Sequence, residues 1–392
     1  MKILYYTWGE NSKEDMLYTF RKMKLDVTEW SCKPKDYDND LEFCRQLKKT
    51  IEKEKIDVIF SFDFIPVISR CIKEMNEQDN TGLIYISWIY DCPHTTLFSP
   101  YAMYEKNYIF AFDKLQCNKL WNLGYTNVYY MPLAVNTDRL NKQLMLPDKI
   151  GQGDIKVSFI GSLYENNFYD KINYLPDYIR GYISGLMESQ KKLYGYNIVE
   201  ALLDDKLVSE VGKYVSAPLG AGYKAGLREL LADMINSKIT SDERISMLGK
   251  VSEVYGLTLC TGSDKKLVPK AKHVGYVSYE AEMPKIFRDS AININITLRS
   301  IESGIPLRAL DIMGAGGFLL SNYQPELAEY FEDGKEVVLF GSEEDLLDKI
   351  GFYLEHDELR REIAYNGWKK VQEQFGYEYA VTQILKIALE NN

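Results

Sequence analysis

Arg308 and Asp311 stand three residues apart in the stretch Ser303-Gly304-Ile305-Pro306-Leu307-Arg308-Ala309-Leu310-Asp311. That spacing puts both side chains on one face of a helix. Pro306 suits the first turn of that helix, where a missing N–H costs nothing. A helix start offers unpaired N–H groups and positive potential, which suits a phosphate. An arginine there opposes the helix dipole, so Arg308 gains from a nearby anion. Two readings follow: a phosphate site, or a surface Arg–Asp pair beside the tight turn Gly314-Ala315-Gly316-Gly317. A second set of chemically capable residues closes apolar runs in the first half of the chain. Asp91 and His94 follow Leu83–Trp88, Asp63 follows Val58–Ser61, and Trp8-Gly9 follows Ile3–Tyr6. Asp91 fits a general base or an orienting group, or a helix cap beside Pro93. His94 fits the same roles, or a hydrogen-bonded structural histidine.

The elements that must position these residues alternate. Strand-like runs occur at Ile3–Tyr6, Val27–Trp30, Val58–Ser61, Leu83–Trp88, Tyr108–Phe112 and Val128–Met131. Helical stretches such as Lys13–Lys22 and Asp40–Lys53 separate them, the latter with Leu41, Cys44, Leu47 and Ile51 on one face. Such alternation predicts a parallel sheet with helices on both sides, and ligands of such sheets lie outside the carboxyl ends of the strands. Residues 136–154 are polar, contain Pro147, Gly151 and Gly153, and read as a linker. A second sheet starts at Ile155–Ile160 and its turn Gly161-Ser162-Leu163-Tyr164. Residues from about 168 to 240 break the alternation as a helical insertion. Alternation resumes with helix Asp242–Tyr255, strand Leu257–Cys260, the loop Gly275-Tyr276-Val277, strand Ala291–Ile296 and the Arg308 helix. The end of the chain reads as a helix interrupted near Phe375-Gly376-Tyr377, able to cross back to the first domain. The predicted division is 1–140, 155–365 and a returning helix 366–392.

Composition limits the choices. The 392 residues suffice for two domains, 46% are apolar, and the formal net charge of −10 argues against nucleic acid as the main partner. The basic run Lys265-Lys266 to Lys272 is short and reads as a solvated loop. No apolar stretch approaches the length needed to span a bilayer. The six cysteines are scattered without a C-x-x-C pair, so reduced thiols and a cytoplasmic location are expected. With three histidines and no Asp-x-Asp in a strand-end loop, no metal site and no cofactor are predicted.

The arrangement resembles a GT-B glycosyltransferase: two doubly wound, Rossmann-like domains facing a cleft, with a helical insertion in the second and a C-terminal helix crossing back. The second half is similar to the spore-maturation (CgeB-like) bacterial glycosyltransferases. The likeness is carried by Ser290-Ala291-Ile292-Asn293-Ile294-Asn295, by Ser303 to Arg308, by Asp311 to Leu320, and by Arg361-Glu362-Ile363-Ala364-Tyr365-Asn366-Gly367. The first half resembles the domain found with it, through Ser87-Trp88-Ile89-Tyr90-Asp91-Cys92-Pro93-His94, Phe112-Asp113-Lys114 and Tyr130 to Asn136. The resemblance implies that Asp311 holds the ribose hydroxyls of a nucleotide sugar; one carboxylate can accept both bonds of a vicinal diol. In the wider group a carboxylate also stands where this chain has Ser303, with Glu302 one residue away. The Arg and Lys that commonly follow the domain's first strand are absent from Gly161-Ser162-Leu163-Tyr164.

The expected function is transfer of a sugar from a nucleotide-diphosphate sugar to a protein or cell-surface glycan, metal-independent and retaining. Donor-binding residues are then Gly161, Ser162, Tyr276, Val277, Arg299, Ser303, Gly304, Ile305, Arg308 and Asp311. Asp91, His94 and Arg308 are the catalytic candidates, and Trp8, Gly9 and Asp63 lie on the acceptor side. The insertion is expected to hold acceptor specificity or a dimer contact. A nucleotide-sugar epimerase on the same scaffold and a non-catalytic sugar-nucleotide or glycan-binding protein are the alternatives.

Overall fold

The computed structural model describes residues 1–92, 94–151, 153–216 and 222–390. Pro93 of the first-half motif, residues 217–221 of the insertion and residues 391–392 of the closing segment lie outside them. The chain forms two compact units.

The first unit holds β1 (Lys2–Tyr6), β2 (Asp26–Trp30), β3 (Val58–Phe62), β4 (Ile84–Trp88), β5 (Asn107–Ala111) and β6 (Val128–Tyr130). All pairs are parallel, in the order β2-β1-β3-β4-β5-β6. β3, β4 and β5 are buried throughout, which is why they read as continuous apolar runs. Helix Leu41–Glu54 buries Phe43, Leu47 and Ile51, and Asp40 caps it by accepting from the N–H groups of Glu42 and Phe43. Helix Pro66–Asp79 packs beside it and brings Cys71 to Cys44, with Cα atoms 5.6 Å apart and a disulfide between them. This corrects the expectation of six reduced thiols: residues 27 positions apart meet because two helices share one face of the sheet. The unit also includes residues 222–226 and the closing helix Tyr377–Glu390. The Tyr223 hydroxyl lies 3.0 Å from both Asp38 carboxylate oxygens, and the Lys224 N–H donates to Phe98 O at 2.9 Å. Part of the predicted second-domain insertion therefore packs into the first unit. The Tyr377 ring meets Trp88 edge-on.

The second unit holds β7 (Ile155–Ile160), β8 (Thr258–Cys260), β9 (Lys272–His273), β10 (Ser290–Asn295), β11 (Leu319–Asn322) and β12 (Val338–Phe340). The order β12-β11-β10-β7-β8-β9 is again all parallel and reverses direction between β7 and β10. β10 turns Ile292 and Ile294 to one face and Asn293 and Asn295 to the other. Burying those amides requires partners; Ser158 donates to Asn293 Oδ1, and Asn295 donates to Ser321. A side chain at Gly317 would meet the Phe287 carbonyl at 2.8 Å, which explains the glycine.

Two sequence expectations change here. The polar stretch read as a linker contains helix Thr137–Leu144, capped by Asn136 and burying Leu140 and Leu144. The last part of the insertion and the helix predicted to follow it are one continuous helix, Leu227–Val254. That helix contributes Leu231, Ile235 and Ile239 to a separate apolar core with Ile179, Ile183 and Val199 of the insertion. The same helix puts Met247, Leu248 and Val251 into the core of the sheet. The second unit ends at Gly376, and Tyr377 onward belongs to the first.

Candidate active site

In the first unit the strand order reverses between β1 and β3, so the ligand-facing crevice of such a sheet lies at their carboxyl ends. Thr7 to Glu10 follow β1. Buried Glu10 accepts from Thr7 Oγ1 at 3.0 Å, Trp8 N at 3.1 Å and Gly9 N at 3.2 Å, and takes the Tyr5 hydroxyl as well. Burial, then the Glu10 carboxylate, holds the Tyr5 phenol far above its ordinary pKa and hence neutral. Glu10, to which the sequence reading gave no role, is thus the anchor of this loop. Gly9 takes a φ of 98°, open to glycine without strain. The exposed Trp8 indole is fixed by its Nε1–H, which donates to Phe62 O at 3.2 Å.

Asp63 follows β3 with a φ of 55°, an uncommon left-handed conformation that Asp tolerates better than most residues. Its Oδ1 accepts from Tyr90 N at 2.8 Å and Asp91 N at 3.1 Å. Asp63 is buried. It ties the end of β3 to the end of β4 and does not present its carboxylate as a surface group, which corrects its expected acceptor role. His94 Nε2 lies 3.1 Å from Phe64 N and 3.2 Å from Phe64 O, and its Nδ1 is 3.7 Å from Asp63 Oδ1. The ring is therefore engaged by the β3 loop. Asp91 remains solvent-exposed beside them. Desolvation, then the Asp63 charge, raises its pKa, with His94 opposing.

In the second unit the reversal lies between β7 and β10; Gly161 and Ser162 follow β7 in the chain, and Arg299 and residues 303–311 follow β10. Pro306 precedes helix Leu307–Gly314 rather than opening it. Arg308 Nη1 is 3.8 Å from Asp311 Oδ2, touches Met283 Sδ, and the guanidinium carbon sits 5.5 Å from the Phe287 ring centre. Asp311 is buried and also accepts from the Tyr279 hydroxyl at 3.0 Å. The pair is thus an organised group at the base of the loop from Gly275 to Glu282. In that loop Tyr276 is 79% exposed, whereas Val277 is buried.

The other predicted donor residues divide. The Gly161 N–H donates to Cys260 O at 3.1 Å, so it is not available to a phosphate. The Ser162 hydroxyl accepts from Tyr164 N at 3.0 Å. Gly304 and Ile305 are buried in the turn before helix Leu307–Gly314. Ser303, 4% exposed, donates to Glu326 Oε1 at 2.7 Å; Glu326 is 1% exposed and lies in the first turn of helix Pro325–Tyr330. A carboxylate therefore does stand at Ser303, supplied from 23 residues downstream. Arg299 needs correction. Its Nε donates to Glu243 Oε2 at 2.7 Å, its Nη2 to Glu243 Oε1, and its Nη1 to Leu193 O at 2.7 Å. It is an internal ion-pair partner, not a donor ligand.

Sequence reading also missed Arg244. It lies on helix Leu227–Val254 and reaches the ends of both β7 and β10. Its Nη1 donates to Ser162 O at 2.7 Å, its Nε to Ile296 O at 3.1 Å, and its Nη2 to Ile296 O. Burial, with the Arg308 charge adding, pushes its pKa down to about 10 against the opposing pull of Tyr164 and Glu243. Nothing in its local pattern, Asp242-Glu243-Arg244-Ile245, separates it from a surface helix charge.

Residues 235–386 match the family model described as Glycosyl transferase-like. No curated protein matches the chain. Among solved structures, a glycosyltransferase from Rickettsia africae is 12% identical, with 100% of this chain and 98% of that one covered at a TM-score of 0.53. Anabaena Alr3699/HepE, solved in complex with UDP, is 11% identical over 100% of both chains at 0.54. A sucrose-phosphate synthase from Thermosynechococcus elongatus is 12% identical, covering 100% and 98%, also at 0.54. The fold is therefore GT-B, with two Rossmann-like parallel sheets. Together with the family match in its second half, it marks the chain as a glycosyltransferase-type enzyme.

Proposed function

We propose that the protein transfers a sugar from a nucleoside-diphosphate sugar to a protein or cell-surface glycan, with retention and without a metal, as a spore-maturation (CgeB-like) glycosyltransferase of the cytoplasm. The observation that carries this reading is the Arg308–Asp311 pair at the carboxyl ends of the second sheet, inside the segment that matches the glycosyl transferase-like model. Departure of a nucleoside diphosphate is the main electrostatic demand of the reaction, and fixed cationic donors meet it. Arg308 supplies that charge, so a divalent ion is not needed for it. Asp311, steadied by Tyr279, accepts the two ribose hydroxyls. The exposed Tyr276 ring offers a face to the base. Anabaena Alr3699/HepE, of the same fold, was solved with UDP, a nucleoside diphosphate of the class this reading calls for.

On the first unit, the fixed Trp8 indole offers an apolar face to an acceptor sugar. Asp91 orients an acceptor hydroxyl, and His94 and Asp63 position the loop that carries it.

The test is a thermal-shift panel of nucleotide sugars on the whole chain, followed by measurement of nucleoside diphosphate release with and without cell extract as acceptor. One donor class is expected to stabilise the protein, with diphosphate release that depends on acceptor and a product that keeps the donor's anomeric configuration by NMR. Stabilisation by no donor refutes the reading. Turnover of donor without acceptor selects the epimerase, and binding without turnover selects the sugar-nucleotide-binding protein.

A further inference from the structure

We infer that Arg244 is a second diphosphate-binding residue, which reaches the donor from the long helix and acts with Arg308. Three observations carry this inference, which rests on the glycosyltransferase reading.

The first is position. By accepting from Arg244, Ser162 O and Ile296 O hold its guanidinium across the ends of β7 and β10, where the strand order of the sheet reverses. That is where a doubly wound sheet receives its ligand.

The second is charge. Among the described residues no carboxylate lies within ion-pairing distance of Arg244. The preceding Glu243 is bound to Arg299. Arg244's polar partners are neutral carbonyls, and the Phe159 and Tyr164 rings lie 5.3 and 5.1 Å from its guanidinium carbon. The charge of Arg308 is close enough to disfavour a second cation. A partly buried, unneutralised guanidinium beside another is costly in the free protein. An anion carrying at least two charges removes that cost.

The third is unused bonding capacity. Three N–H groups go to the two carbonyls, which leaves about two of the five that a guanidinium carries. The carbonyls fix the plane, so the remaining donors are presented in a set direction. Two fixed guanidinium groups suit a diphosphate better than a monophosphate, because each can meet one phosphoryl group.

The experiment is calorimetric titration of the whole chain with UDP, GDP, ADP and dTDP and with the matching monophosphates, for the wild type, Arg244→Gln and Arg244→Lys. Wild type is expected to bind one diphosphate. Arg244→Gln is expected to weaken it about thirtyfold, the scale of one charge-assisted contact, and to weaken the monophosphate less than about threefold. Equal affinity for the diphosphate in Arg244→Gln and wild type, or an equal loss for both ligands, overturns the assignment. If Arg244→Gln does not fold, Arg244→Lys keeps the charge but not the fork, and is expected to lose about tenfold for the diphosphate; an unchanged affinity then overturns it. Failure of the wild type to bind any diphosphate refutes the glycosyltransferase reading itself, and so is distinct from failure of Arg244 alone.

Discussion

Arg299→Ala separates a structural arginine from a ligand-binding one. Both partners of its ion pair are nearly closed to solvent, at 8% for Arg299 and 4% for Glu243. Truncation removes two bonds to Glu243, one to Leu193 O, and a guanidinium stacked 4.3 Å from the centre of the Tyr194 ring. It leaves Glu243 buried with the Tyr194 hydroxyl at 3.2 Å. Breaking a buried pair in this way costs about 3–5 kcal/mol. For a unit of this size each kcal/mol lowers the melting temperature by about 2–4 °C, so the variant should melt roughly 6–20 °C below wild type. Differential scanning calorimetry reads this directly. The paired replacement Arg299→Met with Glu243→Leu removes both charges and should melt well above Arg299→Ala, since an apolar pair of similar volume tolerates burial. At temperatures where Arg299→Ala is folded, its nucleotide affinity should match wild type. A variant that melts within 1–2 °C of wild type (about the error of such a comparison) but loses nucleotide binding would refute the structural assignment and return Arg299 to the donor site.

Two further outcomes follow from the site and a third from the long helix. Asp311→Ala should weaken the bound nucleotide about 10–150-fold, and should abolish the preference for a ribose over a 2′,3′-dideoxyribose nucleotide, as calorimetry can check; a preference that survives would remove Asp311 from the ribose. Transfer that uses ionised Asp91 should fall as pH drops through a pKa raised above the ordinary carboxylate value by desolvation and by Asp63. Asp63→Asn removes that neighbouring charge and should move this acidic limb to lower pH; a limb that stays in place would show that Asp91 does not carry it. Asp233 has its pKa raised by burial from the ordinary 3.8 to about 6. A carboxyl with a raised native pKa supports folding below its unfolded value and costs stability as pH rises through 6, here up to about 3 kcal/mol. Asp233→Asn should therefore raise the melting temperature at pH 7.5 and leave it nearly unchanged at about pH 3, whereas an equal gain at both values would rule out ionisation as the cause.

Strand positions were legible because both sheets are buried on two faces. Apolar runs such as Val58–Phe62 and Ile84–Trp88 have few other uses. Arg308 and Asp311 were legible because their spacing is local, and a three-residue interval survives any tertiary arrangement. What escaped was non-local. Glu326 reaches Ser303 from another helix, Cys71 reaches Cys44 across two helices, and Glu10 organises its loop through main-chain N–H groups that no side-chain pattern reveals. Thr137–Leu144 was hidden by its polarity. Only Leu140 and Leu144 of that helix are buried, too few to raise a periodic signal above the surrounding linker-like composition.

The long helix shows why Arg299 drew attention in the sequence and Arg244 did not. Both are arginines near the carboxyl end of β10, one adjacent in sequence to the Ser303 motif and one far from it. Sequence distance favoured Arg299. The deciding quantity is instead the single carboxylate available between them. Glu243 and Arg244 are neighbours on one helix, and neighbouring residues on a helix point about 100° apart. Glu243 turns inward to Arg299, and Arg244 turns to the strand ends. Neutralising Arg299 thus leaves Arg244 without a counter-charge. Asp311 already faces Arg308 and Tyr279. Arg244 and Arg308 thus bring two positive charges to this part of the second unit, in a chain whose formal net charge is −10. Electrostatic focusing of that kind favours an anionic ligand at this point over the rest of the surface. It also makes the two arginine tests mutually exclusive in form: Arg299→Ala should change melting and not nucleotide affinity, and Arg244→Gln should change nucleotide affinity far more than melting.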